Sequence, residues 1–333
     1  MSIRSSRLAI LLVGVLAVTA FACGEDREET DAGVVAKKDG GVPVPTDAGL
    51  VPGDGGTDAG TPPPATTVPV INNLDDPNHP QTGKVVSFKA IVVSPRMRIS
   101  KKTNATNPAD NNCLYGLFVA DQNAGAEYNG LMLTSKSTVT DGNCNSDSQL
   151  NGTEGNDITI GEELVVTGFY QEYCYNQNGI CVEQDAAGKG ISFPQVSVNK
   201  PGDVTRSGNK PGLPASLPAA VTVAEVNSTG TATPFTMGSK WWQYRAVFVE
   251  VSNVDAGANP DTGTDYCEWT VAPAGQTTPT IRVDDALDYA PNCLHRPAAG
   301  TNLTSLSGLL YWTYGNAKIL PRDVTDATPN LPE

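Results

Sequence analysis

Histidine is nearly missing from this chain. His79 in "DDPNHP" and His295 in "CLHRP" are the two imidazoles of 333 residues, and both stand close to proline in loop-like sequence. No Gly-x-Ser-x-Gly, His-Glu-x-x-His or phosphate-cradling glycine loop occurs. A hydrolase needs a base poised beside a nucleophile or a metal. No such pair can be nominated, so the chain is expected to be neither an enzyme nor a cofactor carrier. Cys-x-x-Cys spacing is also lacking, which argues against zinc. No segment holds a 3.6-residue apolar period over three turns, and the best helical candidate, 222–227, is brief. Positive charge is scarce as well, with 22 Lys and Arg against 36 Asp and Glu, a formal net charge of −14. That balance disfavours non-specific contact with phosphate backbones, although it decides nothing about a local patch.

One long apolar run is present, Leu8 to Ala22, preceded by Arg4 and Arg7. It is too short for a permanent transmembrane helix and has the form of a secretory signal. The residue after it is Cys23, so the stretch fits a bacterial lipobox in which Cys23 is acylated. Ordinary cleavage after Ala20-Phe21-Ala22, leaving a free thiol, is the other reading. Cysteine parity favours lipidation, because seven cysteines in an oxidising compartment leave one over. Export to the outer membrane through a lipid anchor is the expected localisation, and Gly24 after the cysteine permits it. Without residues 1–22 the chain has 20 basic against 36 acidic residues, net −16.

From 23 to 66 the composition is Gly, Asp, Pro, Ala and Thr, with Thr-Asp-Ala-Gly recurring at 30–33, 46–49 and 57–60. Such a segment cannot bury enough surface to fold and reads as a disordered tether. The remainder carries an internal repeat. Val68–Leu74 is echoed by Val221–Val226, Gly83–Val93 by Trp242–Val251, and Cys113–Ala120 by Cys267–Ala272. Gly130–Thr134 is echoed by Thr280–Asp284, and Glu163–Tyr170 by Leu303–Tyr311. Each piece is a short run of β-branched or aromatic residues between turn formers, which is a strand signature. About five strands per repeat predict an all-β chain with two small tandem Greek-key barrels, 67–205 and 206–333. The junction is expected within 199–218, where four prolines interrupt pairing.

Six cysteines then remain. One disulfide in each repeat, Cys113 to Cys144 and Cys267 to Cys293, is the economical assignment. Cys174 to Cys181 would close a hairpin around Asn178-Gly179. Fifteen pairings exist in principle.

The pattern "GKVVSFKAIVV … LYGLFVAD … GLMLT … GEELVVTGFYQEY", with "LTSLSGLLYWTYGNAKILPRD" in the second repeat, is similar to OB-like domains found beside catalytic domains in secreted bacterial nucleases and in bacterial surface lipoproteins. The Asp-Ala-Gly-rich tether resembles that of myxobacterial-type lipoproteins. The resemblance implies a fold more than a function, and no nuclease activity is expected of the chain.

Three features are left as candidate sites. "PRMRISKK" (95–102) holds Arg96, Arg98, Lys101 and Lys102 and is expected to be the loop joining strands one and two, by which OB folds contact oligonucleotides or oligosaccharides. A merely solvated loop is the other reading. Trp312 and Tyr314 are two apart on a strand and are expected to share a face, as a stacking surface or as core. The acidic runs "DGNCNSDSQLNGTEGND" (141–157) and "RVDDALD" (282–288) have some calcium-loop character but lack the glycine and distal glutamate of an EF-hand. They read better as solvated loops. The expected function is a non-catalytic outer-membrane lipoprotein that binds a glycan, an envelope component or a partner protein. A nucleic-acid-binding accessory protein is the alternative, and a purely structural envelope component the third.

Overall fold

The computed structural model describes residues 65–332 apart from 104–110, 152–156, 175, 178–179, 231–233, 261–265, 288–292 and 294. Cys23 and the segment read as signal and tether lie outside the described residues. The first half of the described chain contains β1 (Val85–Val92), β2 (Met97–Lys102), β3 (Asn112–Ala120), β4 (Leu131–Thr140), β5 (Asn143–Cys144), β6 (Glu163–Tyr173), β7 (Asn176–Gln177), β8 (Ile180–Cys181), β9 (Phe193–Ser197) and β10 (Val204–Arg206). The second half contains β11 (Ala219–Val221), β12 (Ser228–Thr229), β13 (Thr236–Met237), β14 (Phe248–Ala256), β15 (Trp269–Pro273), β16 (Ile281–Val283), β17 (Asn302–Thr313), β18 (Asn316–Leu320) and β19 (Ala327–Thr328).

Both halves close the same ring. In the first, β1 runs antiparallel to β3 and to β6, β3 to β4, and β9 to β6, while β4 and β9 pair in parallel. In the second, β14, β15, β16, β17 and β18 take the corresponding places, with β16 and β18 as the parallel pair. The result is two closed five-stranded Greek-key barrels of the OB type in an all-β chain. Strand alternation explains the filling of the first barrel. Val86, Phe88, Ala90 and Val92 of β1 face Leu117, Val119, Leu131, Leu133, Leu164 and Val166 across it, with every second residue turned outward. Gly168 of β6 and Gly308 of β17 occupy equivalent places where the last strand crosses. A Cβ would stand 2.6 Å from Val196 Cγ1 at the first and 2.5 Å from Ile319 Cγ2 at the second.

Three expected strands differ in the structure. Val68–Asn72 forms a helical turn, α1, with Pro69 in its first turn, and it caps the first barrel with Val68 and Ile71. Its echo, Val223–Val226, is also helical (α2), closed by a reciprocal Thr222–Glu225 capping box. The repeat is therefore real in these segments, but its conformation is helical, favoured by proline in the first turn of one and by the capping box of the other. Trp241–Tyr244 is a third helical turn, α3, so the matching strand begins only at Phe248. The larger correction concerns "PRMRISKK". It is mostly strand: Pro95 breaks the first strand, and the chain resumes pairing as β2 against β3.

The barrels are packed on one another. The apolar cluster that fills the second barrel also takes in Met97, Phe118, Met132 and Phe193, which point outward from the first. Tyr311 meets Phe193 and Phe118 edge-on, with centroids 5.0 and 6.1 Å away. Burying side chains of this size contributes about 1.5–3 kcal/mol each.

Candidate functional site

The β2 strand lies at the edge of its sheet, bonded to β3 on one side. Its partners show which way its cations face. Arg98 stands opposite Tyr115, and a register shift between Arg98 and Ser100 sets Lys101 opposite Cys113, two residues from Tyr115. Residues two apart on a strand share a face, so the bulge places Lys101 on the same side as Arg98. Arg96 completes the row, its guanidinium carbon 4.4 Å from the centre of the Tyr115 ring. Lys102, opposite Asn112, faces the other way. Arg96, Arg98 and Lys102 are exposed and Lys101 is half-buried. Among the described residues no ion pair involves any of the four.

The face that OB barrels commonly use, the outer side of their second and third strands together with the loop before the last strand, is filled in both barrels. In the first, Phe118 and Met132 lie against the second barrel. The loop before β9 is held there as well: Trp312 Nε1 donates to Glu183, and Phe235 N donates to Gln184 O at 2.8 Å. In the second barrel the corresponding row is Thr270, Arg282 and Lys318, aligned across β15, β16 and β18. Lys318 is 1% exposed. It donates to Glu268 and to Asp284, the latter at 2.9 Å, while Arg282 donates to Glu268 at 2.8 Å. Burial alone would raise the Glu268 carboxyl, but the charges and hydrogen bonds of Lys318 and Arg282 outweigh it and hold it below its ordinary range. Burial would lower Lys318, and Asp284 and Glu268 overcome it, so the ammonium titrates above its usual value.

Trp312 and Tyr314 do not share a surface. Strand β17 ends at Thr313, and Tyr314 lies in the turn to β18 with φ 49°, so the two-residue alternation stops between them. Trp312 is 8% exposed and packs on Phe235 and Trp241 at 5.3 and 5.6 Å, whereas Tyr314 is 60% exposed. Trp312 is thus part of the core.

The element that sequence reasoning missed is Arg245, fully buried where the barrels meet. Its guanidinium grips Glu172 with two bonds of 2.7 and 3.0 Å. It also donates to Asn72 Oδ1 at 3.0 Å, Asn72 O at 2.8 Å and Ser192 O at 3.0 Å. All of its N–H directions are satisfied, which makes a buried cation tolerable. Asn72 donates in return to Gly130 O and Arg245 O. Tyr170 Oη donates to Glu172 and lies 3.2 Å from His79 Nε2. Burial first, then the Glu172 charge, pushes the Tyr170 phenol well above its ordinary range. The sole sequence signal was an arginine inside the apolar run "YRAVFV".

Cystines join Cys113 to Cys144, Cys174 to Cys181 and Cys267 to Cys293, matching the economical pairing. In the first acidic loop Asp147 is engaged by Thr138, from its N at 2.9 Å and its Oγ1 at 2.8 Å. Among the described residues no group of three His, Cys, Asp or Glu side chains is placed to hold a metal ion. His295 Nδ1 lies 2.9 Å from Pro332 O.

No family model matches the chain. No curated protein matches it in sequence. Among solved structures it is similar to a replication protein A heterotrimer bound to single-stranded DNA, at 9% identity and TM-score 0.30, over 74% of this chain and 51% of that one. It is also similar to a deletion mutant of the single-stranded DNA-binding protein from Thermus aquaticus, at 12% identity and TM-score 0.20, over 72% of this chain and 91% of that one. The chain spans about half the length of the first of these, and the fold assignment rests on the strand circuit described above.

Proposed function

We propose that the chain is a non-catalytic binding module, exported and anchored at the outer membrane through Cys23, whose first barrel presents the β2 edge to single-stranded nucleic acid. The observation that carries the reading is the row of Arg96, Arg98 and Lys101 on one side of an edge strand, with Tyr115 beneath Arg96 and no carboxylate pairing among the described residues. Positions two apart on a strand stand roughly 6.6 Å apart, comparable with successive phosphates of an extended polynucleotide. A cationic track with an aromatic ring beside it is the ordinary chemistry of single-strand binding. The glycan reading drew on the same cations together with Trp312 and Tyr314, and the burial of Trp312 takes one of its two aromatic rings from the surface.

The test is fluorescence anisotropy of a fluorescein-labelled oligothymidylate titrated with the chain from residue 24 onward, between 50 and 200 mM salt. Three phosphate contacts predict a slope of about −2 in log K against log salt. Arg96→Ala with Arg98→Ala should remove roughly two thirds of that slope. Absence of binding at low salt, or a slope indifferent to the substitutions, overturns the reading. Salt-insensitive binding of an acidic polysaccharide in its place would restore the glycan alternative.

A further inference from the structure

The chain carries an anion matched to its own basic edge. The segment 24–64 holds nine carboxylates against three basic residues, including Asp39, Asp47, Asp54 and Asp58, which recur at intervals of four to eight residues toward the barrels. It enters the first barrel beside β1, where Ala65 bridges Ser87 and Thr66 N donates to Ser87 O at 3.0 Å. We infer that this N-terminal segment docks across the β2 edge, its carboxylates on Arg96, Arg98 and Lys101, and competes there with an external anionic ligand. The inference rests on the same surface as the proposed function and adds its regulation.

Three observations support this occupant over others. The first is reach. Arg98 follows Ser87 by eleven residues, at most roughly 36 Å along an extended chain. A coil of the length and Gly/Pro-rich composition of 24–64 has a root-mean-square reach of roughly 30–40 Å. A tether that matches its span gives an effective concentration on the order of millimolar, so even a contact of millimolar affinity would be substantially occupied. The second is sign: the cations of β2 have no paired carboxylate among the described residues, and the segment carries nine carboxylates against three basic residues, a net charge of −6. The third is discrimination. A free edge can recruit a second copy of the same strand, but apposing Arg98 and Lys102 on their own copies brings like charges together. Pro43, Pro45 and Pro52 keep the segment from adding a regular hydrogen-bonded strand, so the contact is one of side chains.

The test is zero-length carbodiimide cross-linking of the chain from residue 24 onward, followed by peptide mapping. Lys101 should join carboxylates of 24–64 within one molecule at 20 mM salt, and the products should vanish at 500 mM. In parallel, Asp39→Asn, Asp47→Asn, Asp54→Asn and Asp58→Asn together should tighten oligothymidylate binding about tenfold at low salt. Links formed equally at Lys200, links between two copies, or no links at Lys101 would overturn the inference. Cross-links without oligothymidylate binding would leave it standing and sink the nucleic-acid reading alone. Salt-dependent binding that is unchanged by the four substitutions, with no cross-links, would do the reverse.

Discussion

The two barrels share one ring of strands and differ in what that ring carries. In the second, the first strand runs unbroken from Phe248 to Ala256, and Asp255 near its end is engaged by Asn302 Nδ2 at 2.9 Å and Gly275 N at 2.7 Å. In the first barrel the same strand is interrupted at Pro95 and continues as β2, whose cations pair with no carboxylate among the described residues. The second barrel carries a buried Lys318–Glu268–Asp284 network, and all four tryptophans lie in the second half of the chain. The first is lined by aliphatic side chains with Phe88 and Tyr170. Closing the ring requires neither the charges nor the tryptophans, since each barrel closes without the other's features. The features that differ therefore separate presentation, in the first barrel, from support, in the second.

The sharpest way to break the pairing of the barrels is at Arg245. Arg245→Met leaves the Glu172 carboxylate and the Asn72 acceptors without their buried cation, and removing one partner of such a pair costs about 3–5 kcal/mol. Because the tryptophans at 241, 242, 269 and 312 report on the second barrel and its junction, urea unfolding followed by fluorescence should shift to lower denaturant. Far-UV circular dichroism, which sees both barrels, should then broaden or split. Adding Glu172→Leu removes the stranded charge and should recover most of the loss. A double variant no more stable than the single one would mean that the junction depends on Arg245 for more than its partner.

Much of the ring was legible in sequence because its cause is local. Alternation in "GKVVSFKAIVV", "LYGLFVA" and "ELVVTGFY" maps onto β1, β3 and β6, and the glycines at 168 and 308 mark the same crossing in both repeats. Alternation cannot tell a short strand from a single helical turn, which is why Val68–Asn72 and Val223–Val226 were misread. The basic segment looked like a loop because proline precedes it and polar residues follow. Its pairing with β3 depends on residues ten or more positions away. Trp312 and Tyr314 were assigned one face by parity, and the turn that ends β17 after Thr313 cancels that parity. Arg245 meets partners 53 to 173 residues distant, and no spacing rule reaches so far.

A pH titration sharpens the contrast between the barrels. The Glu268 carboxyl is held below its ordinary range in the fold, so its stabilising contribution is complete above the unfolded value, near pH 4.5, and is lost as pH falls through the folded one. Acidification from pH 6 to 3 should thus weaken the second barrel, read by tryptophan fluorescence in moderate urea. Glu268→Gln should lower stability at pH 7 and flatten this acid limb. In the first barrel Glu162 is also lowered, chiefly by its hydrogen bond from Arg206, but Arg206 is more open to water, and screening makes its share smaller. An acid limb unchanged by Glu268→Gln would place the controlling carboxylate elsewhere.

The smallest effect on stability is expected where the largest effect on binding lies. Arg96→Ala, Arg98→Ala and Lys101→Ala touch no ion pair among the described residues, and surface substitutions away from such features usually change stability by less than about 0.5 kcal/mol each. The Arg96 contact with Tyr115 adds at most about 1 kcal/mol. Melting of the triple variant should therefore stay within a few degrees of the parent. Basic side chains on an unpaired edge also keep copies apart, so sedimentation velocity separates two uses of the same charges. A variant that stays monomeric yet loses oligothymidylate binding assigns the cations to a ligand. One that associates with rising concentration assigns them to guarding the edge of β2.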